Sequence, residues 1–152
     1  MTLITNYHEK KHVDTIKELI PSSKKIILCS GWLDNLGIKK ILPHLINASN
    51  KNVDITIYSN ARHTTDDAIN TLSEHKHKHI KHIMIKPKKK YLHTKIYYFE
   101  TEKTYTAIIG SANLTKGGLV KNEELSIKHQ GKLGDEDHAK IVSYLNELAK
   151  LQ

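Results

Sequence analysis

The chain has 152 residues, with 24 Lys and Arg against 16 Asp and Glu, a formal charge of +8 and a hydrophobic fraction of 38%. That length suits one compact domain over 1–152 without a structural metal, and a single cysteine excludes an internal disulfide framework. The first residues turn polar before an apolar leader develops, so a soluble, cytoplasmic protein without stable membrane association is expected, with a positive field that attracts polyanions, nucleic acid before anionic lipid.

Val13, Ile16, Leu19 and Ile20 carry helical spacing over 6–20, ending at Pro21. The apolar run at 25–30 suits a buried strand, and Cys29 within it reads as a small buried hydrophobe. Helical spacing returns over 36–48, with Pro43 kinking the helix or delaying its start. Residues 53–58 alternate and are β-branched, which predicts a strand. Thr65, Asp66 and Asp67 form an N-cap cluster for a helix through about residue 76. A strand at 80–85 is followed by a turn around Pro87 and three lysines. Strands at 94–99 and 105–109 flank a polar stretch and should pair as a hairpin. A further strand is expected at 125–129, and 135–151 closes the chain as an amphipathic helix with Ile141, Leu145 and Leu148 on one stripe. Helices and strands alternate early and a hairpin comes late, so the fold class expected is α/β, a mixed β-sheet flanked by helices.

The chemistry concentrates after Tyr91. In an extended strand His93 and Lys95 point to the same face and present an imidazole and an ammonium together. Lys95 can neutralise the oxygens of a phosphodiester while His93, as the neutral imidazole, attacks phosphorus or protonates a leaving oxygen. Ser111 and Asn113 follow Gly110, where the backbone can turn closely beneath a ligand, and their side chains can donate to further phosphate oxygens. Glu124 supplies a carboxylate at the mouth of the next strand and is the partner expected on the other ring nitrogen of His93, fixing its tautomer.

In order and interval, His93-Thr94-Lys95, then Gly110-Ser111-Ala112-Asn113, then Asn122-Glu123-Glu124 resemble the phospholipase D superfamily signature, H-x-K followed by G-S-x-N and N-x-E. The resemblance implies a phospholipase D-like fold and a two-step displacement. One histidine attacks phosphorus to form a phosphohistidine, a second protonates the leaving group, and water then enters from the opposite side. Family members have two such motifs, in one long chain or by homodimerisation. With one motif, this chain resembles the single-motif bacterial nucleases and the catalytic domain of the metal-independent restriction endonucleases, whose sites form across a two-fold axis. His93 would then be nucleophile in one subunit and general acid in the other. The resemblance implies no cofactor and no metal, because Lys95, Asn113 and their symmetry mates supply the charge stabilisation. One position departs from the pattern: the family commonly has Asp five residues after the lysine, where Glu100 stands here, which puts the shorter acid's structural hydrogen bond in question.

Other residues carry competing readings. His75, His77, His79 and His82 suggest a metal site, but the interleaved lysines repel a cation, and a solvated basic ridge joined by Lys86, Lys88, Lys89 and Lys90 fits better. Trp32 reads as a core or dimer-interface residue, with base stacking beside the site as the other option. Arg62 and His63 follow a strand end, where α/β sites gather, and are candidate substrate contacts. The leading expectation is a metal-independent endonuclease for DNA, or RNA, working as a homodimer. The alternatives are a phospholipase D or phosphatidyltransferase, disfavoured by the lysine-rich surroundings and the lack of an amphipathic membrane helix, and a non-catalytic nucleic-acid-binding subunit.

Overall fold

Apolar runs separated by polar turns become, in chain order, β1 (Thr2–Thr5), α1 (His12–Leu19), β2 (Lys25–Ser30), α2 (Asn35–Asn50), β3 (Asp54–Asn60), α3 (Asp66–Glu74), β4 (Ile80–Ile85), β5 (Ile96–Glu100), β6 (Thr104–Gly110), β7 (Leu125–Lys132) and α4 (Glu136–Ala149). The computed structural model describes residues 1–7, 9–74 and 77–152. One seven-stranded sheet runs in the order β1-β7-β6-β5-β2-β3-β4. Strands β2, β3 and β4 are parallel, as their helical crossovers require, and the other pairings are antiparallel.

Period-two alternation divides the core. Ile26, Leu28, Ile57, Tyr97 and Phe99 face α1, α2 and α3, where Ile16, Ile41 and Leu72 meet them. Ile27, Cys29, Tyr58, Tyr98 and Tyr105 face α4 through Leu145 and Leu148. Each fully buried aliphatic or aromatic side chain contributes about 1.5–3 kcal/mol, so the sheet is anchored from both sides. A single helix cannot cover the second face. At the β1–β7–β6 end, the register lines up Leu3, Ile127 and Ile109, with Leu125 beside them; Leu3 stays 61% and Leu125 55% exposed.

Several boundaries differ from the sequence-based expectations. The first helix starts at His12, because residues before it form the edge strand β1 and Asn6 Oδ1 accepts from the His12 N–H at 3.2 Å. Helix α2 runs unbroken through Pro43, with Ile41, Leu42 and Leu45 buried around it. The expected end of the third helix at about residue 76 lies outside the described residues. Strand β5 starts at Ile96, so His93 and Lys95 sit in the lead-in rather than in the strand. A π-helical turn at Gly117–Lys121 separates β6 from β7, and β7 extends to Lys132.

Candidate active site

The carboxyl ends of the parallel strands converge with the loop after β6. Leu33 joins them: it bridges in parallel fashion to Thr64 and Leu114, and its N–H donates to His63 O at 3.1 Å. Asp34 caps α2 by accepting from Gly37 N at 2.6 Å and also accepts from Lys116 N at 3.2 Å, so one carboxylate fixes the helix start and the loop carrying Asn113. Ser30 Oγ accepts from Leu114 N at 2.8 Å, and the buried Tyr97 hydroxyl donates to Ala112 O at 2.7 Å. Gly118 completes the seat, since a Cβ there would lie 2.3 Å from Asn113 O.

His93 is held from below. A Cβ on Gly31 would come within 3.1 Å of His93 Cα, and Asn60 Nδ2 donates to Leu92 O at 2.9 Å. Thr94 Oγ1 pairs with the Tyr144 hydroxyl of α4 at 2.6 Å. Lys95 Nζ donates to His93 O at 2.8 Å and lies 3.1 Å from His93 Nε2. An ammonium has only donors, so in this geometry Nε2 faces Lys95 as an acceptor. The His93 and Lys95 side chains therefore meet through loop geometry rather than through strand alternation.

Burial holds the Lys95 ammonium below the ordinary lysine range, opposed by the nearby Glu124 carboxylate. Burial also pushes the Cys29 thiol up to about 12, so it stays protonated at neutral pH and adds no charge beside Lys95. Asn113 Oδ1 accepts from Trp32 N at 3.0 Å, which leaves the amide nitrogen as the end of that side chain available to a ligand.

Glu124 and Ser111 pair with each other. The Ser111 hydroxyl donates to Glu124 Oε2 and accepts from Leu125 N at 3.1 Å. Its proton is thus directed to the carboxylate rather than to a ligand. Among the described residues, Glu124 bonds Ser111 and not the His93 ring, because both sit where β6 ends and β7 begins, with Gly110 paired to Ser126.

Behind this loop lies a buried network that sequence reasoning missed. His12 is fully buried, with Nδ1 2.8 Å from Asn6 Oδ1 and Nε2 2.9 Å from Ser126 Oγ. Asn6 Nδ2 donates to Gly118 O at 2.8 Å and Asn122 O at 3.0 Å, tying the network to the turn beneath Asn113 and Glu124. Burial lowers the His12 pKa from its ordinary value, with Glu124 opposing. The only sequence signal was a histidine at the start of a helical stripe.

The expected substrate contacts scatter. Arg62 is exposed in the turn after β3, where its N–H donates to Asn60 Oδ1 at 2.9 Å. Lys88, Lys89 and Lys90 are all exposed in the segment leading to His93, and Lys89 Nζ reaches Gln152 O at 2.5 Å, just beyond the end of α4. His75 lies outside the described residues. His79 Nδ1 pairs with Asp54 at 2.9 Å and His82 Nε2 with Ser59 Oγ at 2.8 Å, so these two do not form a solvated ridge. The parallel register beside Ile57 turns His82 inward, and burial lowers its pKa to about 4. Glu100 accepts from the Tyr98 hydroxyl at 2.7 Å, which gives the longer acid a structural bond of its own.

Residues 16–149 match the family model described as cardiolipin synthase, PLD-like domain. The fold is similar to NucT from Helicobacter pylori, with a TM-score of 0.74 and 16% identity, covering 99% of this chain and 95% of that one. It is similar to Nuc from Salmonella typhimurium, described as a phospholipase D family member, with a TM-score of 0.69 and 19% identity, covering 99% and 91%. It also resembles part of polyphosphate kinase from Porphyromonas gingivalis, with a TM-score of 0.71 and 13% identity over 99% of this chain and 26% of that one. A comparison with curated proteins finds no match. At these identities the structural likeness is one of fold.

Proposed function

The chain belongs to the PLD-like domain family of the phospholipase D superfamily, and from that premise we propose that it is a metal-independent phosphodiesterase, an endonuclease acting on DNA before RNA, whose site is completed by a second copy. The observation that carries the reading is the Lys95 ammonium 3.1 Å from His93 Nε2, with Gly31 packed against His93 and the next residue, Trp32, holding the Asn113 amide oxygen through its N–H.

In this reading a phosphodiester takes the place of His93 as the ligand of the Lys95 ammonium. His93 Nε2 then attacks phosphorus, the N–P bond forms, and the bond to the leaving oxygen breaks. The partner's His93 protonates that oxygen, and afterwards takes a proton from the water that attacks phosphorus and breaks the N–P bond. Lys95 and Asn113 bind the phosphoryl oxygens as negative charge develops, a task that positioned donors perform without moving. Ser111 holds Glu124, whose carboxylate balances the Lys95 charge. The exposed Leu3, Leu125 and Ile109 supply an apolar strip beside the Ser111–Glu124 end of the site, suited to a second copy. The formal charge of +8 and the exposed Lys88 and Lys90 favour a polyanion as substrate.

The family description names cardiolipin synthase, which supports phosphatidyl transfer as a second reading. Among the described residues, no helix is long and apolar enough to cross a membrane. Plasmid and oligonucleotide cleavage in EDTA, run beside a mass measurement in solution, tests the proposal. Wild type should cleave as a dimer, and His93→Ala should bind without cleaving. A folded dimer that leaves DNA and RNA intact contradicts it. Salt-sensitive binding by both proteins without turnover marks a binding subunit, and head-group release from phosphatidylcholine vesicles marks the lipid reading.

A further inference from the structure

We infer that Trp32, backed by His63 and Tyr91, is a stacking platform for one unpaired base next to the reacting phosphate, so that the nucleic acid taken is single-stranded or locally unpaired. The choice of a nucleic acid as ligand rests on the reading above; the platform itself rests on separate observations.

The chain's other large aromatics are mostly buried, with Tyr97, Tyr98, Phe99 and Tyr105 at most 2% exposed, whereas Trp32 is 49% and Tyr91 51% exposed. The exposed pair is nevertheless fixed. The Trp32 and His63 rings stack with centroids 4.4 Å apart and planes 8° from parallel. His63 meets Tyr91 edge-on at 5.7 Å and shares a hydrogen bond with its hydroxyl. Little side-chain entropy is then left to lose when a ligand stacks.

Placement ties the platform to the reacting groups. Trp32 N donates to Asn113 Oδ1 at 3.0 Å, Gly31 lies against His93, and Tyr91 precedes His93 by two residues. A nucleotide whose phosphate meets His93 therefore has its base, or its neighbour's, within reach of the indole. His63 occupies one face of that indole, leaving the other for a single ring. A base within a duplex has both faces covered by its neighbours, and only an unpaired one can turn a face outward.

Trp32 is the only tryptophan, so its emission reports the event directly. His93→Ala, which leaves the ligand intact, is titrated with a dT oligonucleotide, an abasic strand of equal length and a hairpin duplex. Saturating quenching is expected from the dT strand and several-fold less from the other two. Trp32→Ala should weaken dT binding about tenfold, measured by anisotropy, without changing abasic-strand binding, and Trp32→Phe should restore most of the loss. Equal quenching by the abasic strand, quenching by none, or a blue-shifted emission indifferent to ligand because a second copy covers the indole, would each overturn the inference. Quenching by dT with no cleavage by wild type sinks the nuclease reading alone, and cleavage without quenching sinks the platform alone.

Discussion

Replacing Lys95 with methionine keeps an unbranched side chain, one atom shorter, and removes its charge. In the free protein the ammonium lies 3.1 Å from His93 Nε2 and 2.8 Å from His93 O, so a phosphoryl group attacked by that nitrogen develops its charge close to it. Two unit charges about 4 Å apart interact by about 4 kcal/mol at an effective dielectric near 20. Lys95 is only partly buried, and water screening reduces this to about 3 kcal/mol. The expected loss in kcat/KM is then on the order of 10²-fold. Burial holds the Lys95 pKa below the ordinary lysine range, so the ammonium loses its proton at a lower pH than a solvated lysine would. Wild-type kcat/KM should accordingly decline on the alkaline side, and that limb should vanish in the variant. Fluorescent oligonucleotide cleavage in EDTA across the pH range measures both. A loss below about threefold, or an alkaline limb that persists in the variant, refutes the reasoning.

Gly118→Ala should cost about 1–3 kcal/mol of stability and lower kcat at least tenfold, because its Cβ would press on Asn113 O from 2.3 Å; melting curves and steady-state kinetics check it, and unchanged kcat would release Asn113 from its role. Burial keeps His12 and His82 below the ordinary histidine value of 6.5, His82 to about 4, so the unfolded chain binds their protons first as pH falls. The His82 contribution is present above 6.5 and lost toward pH 4, and that of His12 also falls below 6.5; the urea midpoint should drop across that window, less steeply in His82→Leu, and identical slopes would contradict the assignment. Leu3→Asp, at a position 61% exposed on the apolar strip, should fold normally yet run as a monomer without cleavage activity, and an active dimer would move the subunit junction elsewhere.

The signature was legible because its residues are close in sequence and carry their chemistry in their types. The seats of His93 and Asn113 were not, because they depend on Gly31, Asn60, Asp34 and Gly118, whose roles exist only once the carboxyl ends of the strands meet. His12 and Ser126 are 114 residues apart and meet through packing of α1 on β7, which no local pattern encodes. The edge strand β1 has four residues, too few for alternation to show. His82 looked like part of a basic run; its inward turn comes from the β3–β4 register. Composition located the basic loop before His93 but could not show that, of its exposed lysines, Lys89 is tied to Gln152. The strand periodicities, by contrast, placed the central sheet to within a few residues, since β-branched runs buried on both faces have few other uses.

The stereochemical course at phosphorus tests the account most directly. An oligonucleotide with one phosphorothioate of defined configuration is cleaved in EDTA in isotopically labelled water, and the configuration of the product is determined. Two successive in-line displacements, the first by His93, predict net retention. Net inversion would mean that water attacks phosphorus directly, and the covalent role of His93 would fall.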